Sequence, residues 1–260
     1  MSRITRRIAS ATSLARRALP EDRYQQLRRG YRAACLTNLN DELMLSRGAH
    51  PAPLAAAFKL AATIPGYFTY DDAVAFTTLL SAQSAYAMRG DLFEIGSYQG
   101  RSAVFLARCL NPGEVLVICD AFEAPAEDKY PFPPSPAQLL RNLTMVVPDL
   151  HTESVEILAD LSTNISFDAD RRFRFAHVDG GHSFATALSD LRLCASHMLP
   201  GGIIAVDDYE HESWPEVTKA VDAFRAESTH VTVMLDLSRQ GAIGRKLYLQ
   251  VGTAGQESNE

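Results

Sequence analysis

The sequence predicts an α/β protein. Its core is a doubly wound, mostly parallel sheet of seven strands with one antiparallel strand, preceded by a helical N-terminal extension. Three observations lead there. From Asp91 onward, apolar strand-like runs alternate with helical patterns, which indicates a parallel sheet covered by helices on both faces. The last two strand patterns have no helix between them and read as a hairpin, so one strand runs antiparallel. Residues 91–102 carry an apolar strand into a glycine turn and then directly into a helix, the way such domains build ligand sites.

The chain has 260 residues, 47% of them hydrophobic and 22% charged, ordinary values for a globular protein with a sizeable core. No apolar run reaches the roughly 18 residues of a membrane span. The start Met1-Ser2-Arg3-Ile4-Thr5-Arg6-Arg7 has no apolar segment behind it, so it does not read as a secretory signal. The four cysteines, Cys35, Cys109, Cys119 and Cys194, form no Cys-x-x-Cys pair. Three lie in apolar helix or strand patterns, and a reducing cytosol is the expected compartment. Charge is uneven. Residues 1–32 hold nine arginines against Glu21 and Asp22, a net +7, which leaves −13 for the rest of a chain whose total is −6.

In order along the chain, Ile4, Ile8, Ala11, Leu14, Ala15 and Ala18 recur at helical spacing over 3–19, and a second helix is expected over about 21–36. Pro51, Pro53, Pro65 and Gly66 break the next stretch, leaving a short helix between Leu54 and Thr63. Asp71 or Asp72 is the expected cap of a helix running to Met88. Strands are expected at about 91–95, 115–119, 154–158, 173–178, 202–206, 230–236 and 243–250. Helices are expected at about 101–110, 135–146, 183–198 and 215–227, with a further short helix in 160–167. The proline- and aromatic-rich segment Glu123–Ser135 reads as a loop beside the site and a candidate substrate lid. The division that follows is a helical extension at 1–62, a main domain at 63–251 and a polar tail at 252–260.

The glycine turn is Glu94-Ile95-Gly96-Ser97-Tyr98-Gln99-Gly100-Arg101-Ser102. Gly96 is placed to take backbone angles forbidden to other residues, and Gly100 to let the chain approach a ligand. The following helix turns its unpaired N–H groups toward the same point. The spacing lacks the middle glycine of the G-x-G-x-x-G dinucleotide pattern. It suits a nucleoside without pyrophosphate, such as S-adenosylmethionine, better than a nicotinamide dinucleotide.

Ligands in such sheets bind beyond the carboxyl ends of the strands, and there the sequence places acids. Asp120 ends the second strand, 26 residues after Glu94, where a carboxylate can accept both ribose hydroxyls or cap its own loop. Asp160 and Ser162 follow the third strand and either hold an adenine edge or cap a turn. Asp179, Asp207 and Asp208 end neighbouring strands. Three such carboxylates repel one another unless a cation lies between them. An oxygen-only ligand set suits Mg²⁺, Mn²⁺ or Ca²⁺; the alternative is that they bond loop amides. His182 follows Asp179 across Gly180-Gly181 and serves either as a general base near neutral pH or as a cap for the next helix.

Together these residues resemble the class I S-adenosylmethionine-dependent methyltransferases, and more narrowly the metal-dependent O-methyltransferases. Gly96-Ser-Tyr98-Gln-Gly100-Arg-Ser102 is similar to the cofactor loop of the catechol O-methyltransferase group. Val178-Asp-Gly-Gly-His-Ser183 and Leu199-Pro-Gly-Gly-Ile-Ile-Ala-Val-Asp-Asp-Tyr209 are similar to natural-product sugar O-methyltransferases. The resemblance covers about residues 63–250. It implies that Glu94, Gly96, Tyr98, Gly100 and Ser102 surround the methionine portion of the cofactor, with Asp120 on the ribose. It also implies that Asp179, Asp207 and Asp208 bind Mg²⁺, and that Asp179 and His182 carry the chemistry. His182 stands where the catechol enzymes place a lysine base. Where some sugar enzymes carry a second acid, this chain has Gly181.

The function expected is methyl transfer to a hydroxyl, first of a sugar on a glycolipid, polysaccharide or natural product, second of a phenol. The competing classes are a nicotinamide-dependent oxidoreductase on a related sheet and a non-catalytic cofactor-binding scaffold. The arginine-rich start suits an anionic bilayer surface at the inner face of the membrane, with a lipid-linked glycan as acceptor. It equally suits packing against the core or a second subunit of a homo-oligomer. Nucleic acid is not expected, because the rest of the chain is acidic.

Overall fold

The computed structural model describes residues 52–122, 134–239 and 244–252. They belong to one compact unit, Ala49–Glu260. The helices expected at 3–19 and 21–36, most of the proline-rich loop and most of the tail lie outside the described residues.

Two helices, α1 (Ala52–Ala61) and α2 (Tyr70–Ala85), precede the first strand. The strands are β1 (Asp91–Ile95), β2 (Leu116–Asp120), β3 (Val155–Ala159), β4 (Phe173–Val178), β5 (Met198–Tyr209), β6 (Val231–Ser238) and β7 (Arg245–Val251). Between them run α3 (Ala103–Ala107), α4 (Pro136–Val146), α5 (Phe184–His197) and α6 (Pro215–Glu227). The sheet order is β3-β2-β1-β4-β5-β7-β6. All neighbours are parallel except β7, which runs antiparallel to both β5 and β6. The expected seven strands and the single reversed strand are therefore both present, and the hairpin folds back so that its second strand lies inside the first.

The chain leaves β1 toward β2 and β3, then returns to place β4 on the other side of β1. That reversal opens a crevice beyond the carboxyl ends of β1 and β4. Register lines those ends up: Ile95 pairs with Cys119 on one side and Val178 on the other, and Val178 pairs with Val206. The central strands are buried on both faces, which is why they read as nearly continuous apolar runs.

The two faces differ. On one, Phe93, Ile95, Val117, Ala176, Val178, Ile204, Val206, Leu247 and Leu249 pack with α5 and α6 in an apolar core. The other carries the alternate residues, among them Glu94, Phe175, His177, Asp207, Lys246 and Tyr248, under an aromatic layer. Phe76 lies 5.0 Å from both Phe175 and His177, and Phe58 lies 5.0 Å from Tyr70 and 6.0 Å from Phe105. Residue Phe58 belongs to α1, so that helix packs on the domain although the sequence division assigned it to the extension.

Several local expectations change. The cap of α2 is Thr69, not Asp71 or Asp72. The Thr69 side chain accepts the Asp72 N–H, and the Asp72 carboxylate accepts the Thr69 N–H at 2.9 Å, a reciprocal capping box. The helix ends at Ala85, before Ala87 takes φ 56°. The helix expected over 101–110 keeps regular form only in the five residues of α3. Tight three-residue bonds, Phe105 N–H to Ser102 O and Cys109 N–H to Leu106 O, flank it. The stretch 160–167 holds a single 3₁₀ turn at Ser162–Asn164.

At the amino ends of the strands, Arg174 is fully buried and forms a two-pronged pair with Glu114 at 2.8 and 2.7 Å. It also donates to Gln83 and to the Cys109 carbonyl. Burial opposes the Glu114 charge, but hydrogen bonds from Arg174 and Asn111 overcome it and hold the carboxyl below its ordinary value. Arg174→Met strands that charge and is expected to cost about 3–5 kcal/mol, measured by denaturant unfolding. A depressed carboxyl pKa adds stability above the unfolded value and loses it as pH falls through the folded one. The cost should therefore shrink in acid; a cost that stays constant with pH would refute this assignment.

Candidate active site

The glycine turn sits at the end of β1. A Cβ on Gly96, at φ +82°, would lie 2.0 Å from the Asp179 carbonyl oxygen. The glycine is needed because the β1 and β4 ends touch here. Gly100, at φ +88°, points its missing side chain at Leu139, 3.2 Å away. The close approach expected there is to α4 rather than to a ligand. Tyr98 also takes a left-handed conformation, φ 52°, so the turn is held against local preference.

Asp120 holds it. One carboxylate oxygen accepts the Tyr98 N–H at 2.7 Å and the other the Phe122 N–H at 2.8 Å. Burial raises the Asp120 pKa and these backbone bonds oppose the rise. Each oxygen still has a lone pair for a ligand hydroxyl. Ser97 Oγ is buried at the turn with no hydrogen-bond partner. An orphaned hydroxyl beside a buried carboxylate is what a nucleoside-amino-acid cofactor would satisfy, so the turn fits S-adenosylmethionine.

Other expected cofactor residues stand elsewhere. Glu94 is fully buried and bonds His177 Nδ1 at 2.8 Å, so its carboxylate faces the core layer. Ser102 is the N-cap of α3 but makes no side-chain capping bond. A five-residue helix supplies little of the expected dipole. Asp160 is exposed and caps its own turn, accepting from Leu161 N–H at 2.7 Å and Asn164 Nδ2 at 2.8 Å. Ser162 begins that turn and is half-buried.

The three acids expected to share a metal line one cleft, but two of them are already engaged. The register of β5 shifts between Val206 and Tyr209, so Asp207 and Asp208 do not follow a regular pleat. Asp207 lies on the aromatic face, where Lys246 Nζ is 2.9 Å away and Arg239 reaches both of its oxygens. Burial opposes its charge, but Arg239 and Lys246 drive its pKa far below the ordinary value. Asp208, at φ +60°, turns the other way and bonds His182 Nε2 at 3.1 Å. Asp179 follows β4 directly, its N–H donating to the Ile95 carbonyl at 2.9 Å. Burial, then Asp207 and Asp208, raises its pKa well above normal.

Among the described residues the compact ligand-type group is instead His177, Asp179 and Asp207, with one ligand atom from each within 4.8 Å of the others. Two of these three are already engaged. His177 binds Glu94 and lies 2.9 Å from Lys246 Nζ, and Asp207 is paired as above. The expected Mg²⁺ ligand set therefore does not fit.

His182 is held on both sides. Its ring stacks on Trp214 with centroids 4.0 Å apart and planes 15° apart, and Asp208 takes Nε2. His211 packs on the other side of this group, 4.0 Å from Asp208. Val178, Asp179, Gly181, His182, Asp207 and Asp208 are among the residues lining one small cleft. A separate cavity of about 560 Å³ lies at the amino ends of the strands around Asp91, Glu156 and Arg172 and contains none of these groups.

Sequence reasoning missed Lys246, Arg239, His177 and Trp214. The first had a signal. A lysine that leads directly into the apolar run Leu247-Tyr248-Leu249 of a strand buried on both faces needs a buried acid.

Residues 93–209 match the family model described as a methyltransferase domain. The match runs from β1 through β5 and so spans the turn and all four site acids. The chain has the Rossmann-like methyltransferase fold. No curated protein matches the chain by sequence. Among solved structures, the O-methyltransferase NovP superposes with a TM-score of 0.57 at 19% identity, over 71% of this chain and 81% of that one. The O-methyltransferase TomG from Streptomyces achromogenes, involved in tomaymycin synthesis, gives 0.57 at 14% identity, over 85% and 99%. The TDP-rhamnose 3'-O-methyltransferase CalS11, an enzyme of calicheamicin biosynthesis, gives 0.50 at 18% identity, over 79% and 97%. At these identities the likeness is one of fold.

Proposed function

We propose that this protein is an S-adenosylmethionine-dependent O-methyltransferase acting on a sugar hydroxyl of a small molecule. The observation that carries the proposal is the convergence, at one sheet edge, of a glycine turn tied to Asp120 and of His182 backed by Asp208. That CalS11 methylates a sugar nucleotide and TomG serves natural-product synthesis supports this acceptor class.

Gly96, Ser97, Tyr98 and Asp120 would hold the cofactor, the acid on its ribose. Bound there, S-adenosylmethionine supplies an activated methyl group. The chain's remaining task is at the acceptor. A hydroxyl is a poor nucleophile while it keeps its proton, and His182 is the group placed to take it. In the neutral ring an Nε2–H that donates to Asp208 fixes the tautomer. Asp208 then stabilises the imidazolium that forms, and Trp214 fixes the ring plane. Asp179, with its raised pKa, retains a proton more readily than an ordinary aspartate and can donate a hydrogen bond at the cleft. No step requires a divalent ion.

Isothermal titration with the demethylated product, S-adenosylhomocysteine, tests the cofactor assignment. Binding is expected to weaken in Asp120→Ala by about 1.5–3 kcal/mol, the range for hydrogen bonds to a charged group. Tighter binding of a nicotinamide dinucleotide, or unchanged affinity in the variant, would overturn it.

A further inference from the structure

The aromatic face of the sheet holds a closed set of charges. Lys246 Nζ is fully buried, 2.9 Å from Asp207 Oδ2, 2.9 Å from His177 Nε2 and 3.7 Å from Asp72 Oδ1. Arg239, also buried, spans Asp207 and Asp72. Two buried carboxylates thus face two buried cations. Phe68 and Phe76 close the lysine off, their ring centroids 5.0 and 5.3 Å from Nζ. Burial works against the lysine's charge, but Asp207 and Asp72 outweigh it and its pKa stands above the ordinary value. His177 is held neutral by burial and by the nearby ammonium. Its Nδ1–H can therefore donate to Glu94 while Nε2 accepts from Lys246. Two of the three ammonium donors are then matched, by Asp207 and His177, and Asp72 Oδ1 faces the third from 3.7 Å.

The position of that ammonium matters. His177, Asp179 and Asp207 are the one group of ligand type among the described residues that clusters tightly enough for a metal. Nζ is within hydrogen-bond distance of two of the three. A divalent ion would need the same lone pairs, and it would have to sit in contact with a positive charge in a low-dielectric site. Like charges that close repel by several kcal/mol even at an effective dielectric of about 20.

We propose that Lys246, supported by Arg239, is a built-in cation that occupies the place of a divalent metal in this site. The wild-type protein binds no divalent ion there, and any methyl transfer proceeds without one. Lys246 acts as a positioning residue. It neutralises Asp207 and holds the β4, β5 and β7 ends together under the cleft, but being wholly buried it does not touch the substrate. Only the consequence for methyl transfer rests on the function proposed above; the metal-binding claim stands by itself.

Paramagnetic resonance of Mn²⁺ titrated against the full-length protein reads that claim directly. Wild type is expected to leave the free-ion signal unchanged at millimolar concentrations. Lys246→Met, which keeps the stem and removes the charge, exposes a surplus of negative charge and should bind Mn²⁺ at least about tenfold more tightly than wild type. Adding Asp179→Asn should abolish the gain, which locates the ion. If Lys246→Met does not fold, Arg239→Gln provides the same arm through the same carboxylate. Stoichiometric Mn²⁺ uptake by wild type that Asp207→Asn abolishes would overturn the proposal. So would a folded Lys246→Met with no gain, because the lysine would then not be what excludes the ion. Failure of S-adenosylhomocysteine to bind would strike only the functional reading and leave the Mn²⁺ result standing.

Discussion

Replacing His182 with alanine is expected to lower methyl transfer by about 10²–10⁴-fold, the usual contribution of a positioned acid–base group. The ring is fixed by the stacked Trp214 and by the Asp208 hydrogen bond, so little of its orientation has to be found during the reaction. Asp208→Asn should fall on the same step by a smaller factor. It is expected to lower kcat while leaving KM for the acceptor and the affinity for S-adenosylhomocysteine near wild type. That split separates a positioning role from a structural one, which would disturb binding and folding together. The assay is transfer of labelled methyl from S-adenosylmethionine to an acceptor the wild type methylates. Near-normal turnover in His182→Ala would move the base elsewhere, with Asp179 next in the cleft.

A single methyl group at Gly96 should do comparable damage by another route. Alanine there would put Cβ 2.0 Å from the Asp179 carbonyl oxygen, at φ +82°. No flexible side chain can yield, because the obstacle is backbone. Overpacking and left-handed strain together are expected to cost about 2–5 kcal/mol, and separating the β1 and β4 ends should also abolish cofactor binding. Gly113 provides the control. It has nearly the same backbone angle, φ +83°, but open space around it, so Gly113→Ala should cost only the conformational part, about 1–2 kcal/mol. Denaturant midpoints of the two variants make the comparison, with titration of S-adenosylhomocysteine alongside. Equal costs would mean that the β1–β4 contact carries no energy.

The sequence by itself determined the architecture. Strand and helix runs from Asp91 to Val251 showed in their periodicity because each central strand is buried on both faces and each helix on one. The acids at the strand ends were legible for the same reason: parallel strands deliver their carboxyl ends to one edge, so Asp120, Asp179 and Asp207 had to be neighbours there. What each acid faces was not legible. Asp207 and Asp208 stand side by side in the chain, and a sequence reading naturally gives them one task. The irregular end of β5, with Asp208 at φ 60°, sends one to Lys246 and Arg239 and the other to His182. The partners that decide this come from the loop after β4, from β7 and from the residue just past β6, between 25 and 39 residues away from Asp207. No local pattern links them, since their pairing follows from the strand order and register. Glu94 shows the same limit. Its place beside the glycine turn was plain in the sequence, but only the register with β4 set it against His177 rather than toward the crevice. Tertiary structure alone decided where the charges are compensated, because compensation of a buried charge depends on distance in space and not along the chain.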